Sequence, residues 1–192
     1  CRNLYSATIP EKVTVIPDSA FENCTALEYI ETHNKITVFG DRAFYNCPKM
    51  VLSAAGFSDS LTEIGESAFE GCEDLWALYL GAELRVIGKN AFNGCADIGV
   101  IEIDSANPYY YSSGNCLIER EGQKLVLGSN SSVISEGVKI IGENAFSERR
   151  TLMSIDIPES VESVEKSAFE GCIELVTVTG GEGIKSLGER AF

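Results

Sequence analysis

The chain has 192 residues, with 15 Lys and Arg against 29 Asp and Glu, a formal net charge of −14 and a hydrophobic fraction of 44%. That balance disfavours a phosphate-backbone partner, which needs clustered basic side chains, and an anionic membrane surface. No apolar run approaches the ~20 residues of a transmembrane helix, and the single histidine, His33, largely excludes catalytic triads and histidine-rich metal sites.

Along the chain, alanine–phenylalanine pairs end at Phe21, Phe44, Phe69, Phe92, Phe146, Phe169 and Phe192, spaced 23 residues apart except for one step of 25 and one of 54. A fixed period of this length is the mark of a stacked-repeat solenoid, whose units bury their apolar sides only against their neighbours. Three residues after the phenylalanine comes a cysteine, at Cys24, Cys47, Cys72, Cys95 and Cys172; Arg149 breaks the column. Three further on is an apolar residue, as in Leu27, Met50, Leu75, Ile98, Leu152 and Leu175, followed by apolar positions at plus three and, less strictly, plus five. Leu-x-x-Ile-x-Ile reads as a strand with alternate residues inward. A second apolar–x–x–apolar–Gly stretch, such as Leu61 with Ile64-Gly65, reads as a short strand on the opposite wall. The AFxxC segments are expected to form a single helical or 3₁₀ turn, with Ser67 and Asn90 at the capping position. Phe21, Phe44, Phe69, Phe92, Phe146 and Phe169 should stack inside, and the five column cysteines should be buried free thiols, since spacings of 23 to 25 do not suit zinc.

The unit L-x-x-I-x-I-P-x-x-V-x-x-I-G-x-x-A-F-x-x-C, clearest at 152–172, resembles the BspA-like leucine-rich repeat. The resemblance covers nearly the whole chain and implies a right-handed, β-rich α/β leucine-rich repeat solenoid with parallel strands along one face. The 54-residue step departs from it. CLIER and KLVLG, joined by Glu121-Gly122-Gln123, predict a β-hairpin within an insert over 104–134; Ser112-Ser113-Gly114-Asn115 reads as a turn. The segment is similar to a hairpin insert of the same family. The third unit is two residues longer around Ala55-Gly56-Phe57. The expectation is one solenoid over 1–192, with both ends truncated inside a repeat, because Cys1 falls in the cysteine column and the chain stops on an AF pair.

Residues alternating with the inward ones should project from the strand face: Tyr29, Glu31 and His33, then Leu52 and Ala54, then Ala77 and Tyr79, then Glu102 and Asp104, with Trp76 beside the row. Tyr109, Tyr110 and Tyr111 either continue the sheet or form an exposed aromatic patch. Of these, Tyr29, Glu31, His33, Trp76, Tyr79, Glu102, Asp104, Tyr109, Tyr110 and Tyr111 are the candidate ligand-binding set, since aromatics contribute most at interfaces; the alternative is ordinary strand residues. No catalytic residue, metal site or cofactor is expected. The resemblance implies a non-catalytic adhesion module of a cell-surface or secreted bacterial protein that binds a host matrix or epithelial protein, or a glycan. The alternatives are a rigid spacer presenting another domain and a recognition arm of a larger enzyme.

Overall fold

The structure, a computed structural model, describes residues 1–52 and 57–192; Ala54 and the extension at Ala55-Gly56 lie outside them. The chain partitions into two compact units, Cys1–Ala96 with Ile103–Asn107, and Asp97–Glu102 with Pro108–Phe192. Each is a stack of parallel β coils.

In the first unit the front strands Ser6–Thr8, Tyr29–Glu31 and Val51–Leu52 pair in parallel, and Val15–Ile16, Val38–Phe39, Glu63–Ile64 and Val86–Ile87 pair in parallel as the back wall. Ile30, Ile16, Phe39 and Ile64 point inward and are buried, as the period of two requires. Pro17 follows the first of these back strands and glycine the other three, where it is needed for close approach: a Cβ on Gly65 would lie 2.6 Å from the backbone nitrogen of Asp41.

The AFxxC segments are not helical. Only alternate amides close turns within a coil, such as Ala20 N to Pro17 O, Glu22 N to Ser19 O and Cys24 N to Phe21 O. The amides between them cross to the next coil: Ser19 N donates to Asp41 O, Phe21 N to Ala43 O and Asn23 N to Tyr45 O, each 2.8 Å. This alternation forces a left-handed backbone two residues before each phenylalanine, at Ser19, Arg42, Ser67, Asn90, Asn144, Ser167 and Arg190 (φ 53 to 58°), and two residues after it, at Asn23, Asn46, Gly71, Gly94, Glu148 and Gly171. Ser67 and Asn90 are therefore corners rather than helix caps. A helical turn would satisfy one neighbour at most. The alternating form pairs the segment with itself and with the next coil, leaving few orphaned backbone groups.

The phenylalanines stack as expected. Ring centroids in the first unit are 5.2 Å apart for Phe21–Phe44, 5.3 Å for Phe44–Phe69 and 5.5 Å for Phe69–Phe92, with planes 2 to 15° apart; in the second unit Phe146, Phe169 and Phe192 repeat the pattern. The column cysteines are more than small apolar fillers. Cys47 Sγ donates to Phe21 O at 3.0 Å, Cys72 Sγ to Phe44 O at 3.2 Å, Cys95 Sγ to Phe69 O at 3.1 Å, and Cys172 Sγ to Phe146 O at 3.0 Å. Where Arg149 replaces cysteine, its buried guanidinium takes over the task, with Nε donating to Gly128 O at 2.7 Å and Nη1 to Ser147 O at 3.0 Å.

The insert is larger than a hairpin. Tyr110–Ser113, Cys116–Glu119 and Lys124–Gly128 form an antiparallel meander, and the last of these pairs in parallel with Ile140–Ile141 to resume the stack. Ser112 and Ser113 are strand residues; only Gly114-Asn115, both with positive φ, make the turn. Cys116 is buried in the core of the second unit.

Phe69→Ala removes the middle of a four-ring stack and is expected to cost about 3–5 kcal/mol in urea unfolding; an unchanged midpoint would refute the stacked interior. At Gly71 (φ 76°) a valine should cost about 1–2 kcal/mol. Asparagine, which holds the equivalent corner at Asn23 and Asn46, should be nearly neutral in the same titration.

Candidate interaction surface

In the first unit the coil-to-coil amide ladder places a row of outward side chains just before and at the start of the front strands. Glu28 N donates to Tyr5 O at 2.9 Å and Val51 N to Glu28 O at 3.0 Å, so Tyr5, Glu28 and Val51 stand in successive coils. Beside them Tyr29 is 57% and Tyr5 54% exposed, with ring centroids 5.8 Å apart and planes at 63°, an edge-to-face pair. A shallow depression of about 330 Å³ opens here, lined by Glu28, Tyr29, Lys49, Val51 and Asp74. Hydrogen bonding to the Glu28 carboxylate raises the Tyr5 phenol above its ordinary 10.0, with partial burial adding to it. Lys49 Nζ lies 3.9 Å from Glu28 Oε1 in a solvent-facing ion pair, weak by nature. Trp76, 52% exposed, follows two residues after Asp74.

The structure sorts the other sequence candidates. Glu31 accepts a hydrogen bond from Thr8 Oγ1 at 3.0 Å, closing a polar rung of the sheet. His33 is a coil-to-coil tie: Nδ1 accepts from Lys35 N at 3.2 Å and Nε2 lies 3.0 Å from Pro10 O, so in the neutral ring Nε2 carries the proton. Tyr79 is half-buried. Asp104 Oδ1 accepts from Ala106 N and shapes a turn. In the second unit Glu102 is exposed. The tyrosine run is not a continuous exposed patch, because strand alternation divides it. Tyr109 is exposed, Tyr110 is only 6% exposed, and Tyr111 packs against the core with its hydroxyl donating to Gln123 Oε1 at 2.9 Å.

Two residues assigned to the outer row are buried. Val51 pairs with Tyr29 and Leu52 with Ile30, a one-residue slip from the 23-residue register that turns Leu52 inward. Ala77 is 8% exposed.

Tyr5, Glu28, Lys49, Val51 and Asp74 were absent from the sequence-based set, and Tyr29 is the member of that set that lines the depression. A signal for part of the group exists: Tyr5, Glu28, Val51 and Trp76 each stand four residues after a column cysteine. Strict alternation hides the column, because in the first two coils positions four and five after the cysteine, Tyr5 with Ser6 and Glu28 with Tyr29, are both accessible to solvent.

Parallel coils, a stacked phenylalanine column and a strand-lined outer face define a leucine-rich repeat solenoid. The BspA type leucine rich repeat region matches residues 1–114 and 128–192 in 6 copies, and the chain belongs to that family. Among solved structures, a leucine-rich repeat protein from Eubacterium ventriosum superposes with a TM-score of 0.72 at 18% identity, covering 96% of this chain and 56% of that one. The pneumococcal vaccine antigen PcpA gives 0.57 at 19% identity, covering 97% and 59%, and the T. pallidum leucine rich repeat protein 0.55 at 22%, covering 95% and 72%. The chain therefore spans little more than half the length of the first of these. No curated protein matches it. Membership of this repeat family makes the chain a protein-interaction scaffold.

Burial holds the thiols of Cys47, Cys72, Cys116 and Cys172 protonated. All seven cysteines are free; burial pushes Cys47 and Cys116 up to about 11 and Cys72 well above its ordinary 9.0. A thiol whose pKa is raised on folding contributes stability that is complete below the unfolded value and is lost as pH rises through the folded one. The thermal midpoint should therefore fall as pH goes from about 9 to about 11. Cys47→Ser with Cys72→Ser keeps a hydroxyl donor without that titration and should flatten the decline; parallel curves would contradict the assignment.

Proposed function

We propose that this chain is a non-catalytic binding module of a cell-surface or secreted bacterial protein, and that it holds a protein ligand, of the host-matrix or epithelial kind, on the front face of the solenoid. The observation that carries the reading is the exposed aromatic row of Tyr5, Tyr29 and Trp76 in the first unit. Exposed tyrosine and tryptophan on a rigid sheet supply large contact area at low side-chain entropy cost, which is the composition of interface anchors. The rows around them are occupied by sheet ties such as Thr8–Glu31 and His33–Pro10, so the backbone that presents the rings is fixed before any partner arrives. Family membership supports the same reading, and the name of one structural neighbour, a vaccine antigen, fits a surface location.

The test is binding of the purified chain to a panel of extracellular-matrix and epithelial surface proteins, alongside a variant with Tyr29, Trp76 and Tyr79 changed to serine. Saturable binding that the variant loses by at least ~10-fold, with its melting midpoint retained, is the expected result. Binding that the variant keeps would move the site off this face. No binding by either would favour a spacer that presents some other domain.

A further inference from the structure

We infer that the depression beside Tyr29 receives an arginine side chain from a basic segment of a protein partner, its guanidinium paired with the carboxylates of Glu28 and Asp74 and its plane against the Tyr29 ring. The inference rests on the protein-binding reading above and names the chemistry of that partner. Size is the first ground. A space of about 330 Å³ is at the small end of ligand sites, suited to one long side chain presented by a larger molecule.

Charge is the second. Two of the five lining residues are carboxylates and one, Tyr29, offers an exposed aromatic face; that combination attracts a cation by Coulomb pairing and through the ring quadrupole. Asp74 takes part in no ion pair among the described residues. Beyond its hydrogen bond with the Tyr5 phenol, Glu28 has among the described residues only the long 3.9 Å contact to Lys49, whose side chain is itself largely solvated. Lys49 thus stands as a displaceable internal cation, occupying the position that an incoming guanidinium would take with better geometry. The net charge of −14 draws a basic segment to the chain in the first place.

Planarity is the third. A guanidinium can bridge two carboxylates through a forked set of donors while stacking on a ring, whereas an ammonium is a compact point charge. The edge-to-face contact of Tyr5 with Tyr29 fixes the ring against which that plane would lie.

The experiment uses fluorescently labelled penta-arginine and penta-lysine peptides in anisotropy titrations against the whole chain at two salt concentrations. Penta-arginine should bind at least ~3-fold tighter than penta-lysine. Tyr29→Ser should weaken penta-arginine by about 3-fold and Asp74→Asn by about 5-fold, while Lys49→Ala should tighten it. Glu159→Gln, an equal charge change at an exposed position that does not line the depression, should alter binding by less than ~2-fold, as a charge outside the site acts only through a screened field. Melting midpoints of all variants verify folding. Equal losses for Asp74→Asn and Glu159→Gln would mean diffuse acidic attraction and overturn the inference, as would indifference to Tyr29→Ser or equal affinity for the two peptides. A chain that binds a matrix protein through its aromatic row but ignores penta-arginine leaves the module reading standing and removes this one; a chain that binds neither removes both.

Discussion

The rest of the structure depends on how the AFxxC segment divides its amides. Alternate N–H groups close tight turns within the coil and the others donate to the neighbouring coil. Parallel strands alone leave the corners of a solenoid with unsatisfied backbone groups, and a helix at the corner would satisfy only itself. The mixed arrangement extends the inter-coil ladder around the corner, at the cost of two left-handed residues per coil. Its geometry also dictates the side chains. Backbones this close exclude a large residue beside the corner, hence alanine. The ring that follows is delivered inward once per coil in nearly constant orientation, hence the stack. The carbonyl of that same phenylalanine is turned toward the next coil, where a thiol donates to it.

The same constraint governs what the outer surface can become. With the corner and back wall fixed by hydrogen bonds, variation is confined to positions that face solvent without being rungs. In the first unit these are Tyr5, Glu28, Tyr29, Val51 and Trp76, the residues that form the aromatic row and its shallow depression. Threonine and acidic residues nearby are drawn into side-chain rungs, as in Thr8 with Glu31, and in the second unit Thr179 with Asp156 at 2.6 Å. A polar residue on such a face is thus often committed to the sheet, and an exposed aromatic is the more informative sign of a contact.

Much of this was legible in the sequence because the repeat reports the same environment many times. The phenylalanine column from Phe21 to Phe169, the cysteine column and the back-wall pairs occupy the places their spacing indicated, except that Phe21 and Cys172 are only half-buried. What escaped was whatever lacked a compositional signature or broke the register. Ser19, Arg42 and Arg190 adopt a left-handed backbone although their side chains do not favour it, so only the companion column of Asn and Gly, at Asn23, Asn46, Gly71, Gly94 and Gly171, hinted at a corner other than helical. The slip that buries Leu52 is one residue long and cannot be counted from apolar spacing alone. Tyr110 was misplaced because three successive tyrosines read as one patch, while a strand sends its middle residue to the opposite face.

Arg149 carries a consequence for the engineering of the insert. It stands where a cysteine belongs, and its charge is buried against the carbonyl of Gly128, the last residue of the meander; a Cβ on Gly128 would collide with the Phe146 ring. The arginine and the meander are joined by that contact into one structural unit. A graft that moved the meander alone to another junction would meet a thiol too short to reach that carbonyl. A deletion that spared Arg149 would leave its Nε without the Gly128 acceptor, with Ser147 O still accepting from Nη1. Such loops can be exchanged among solenoids of this kind only with the suture residue that seals them.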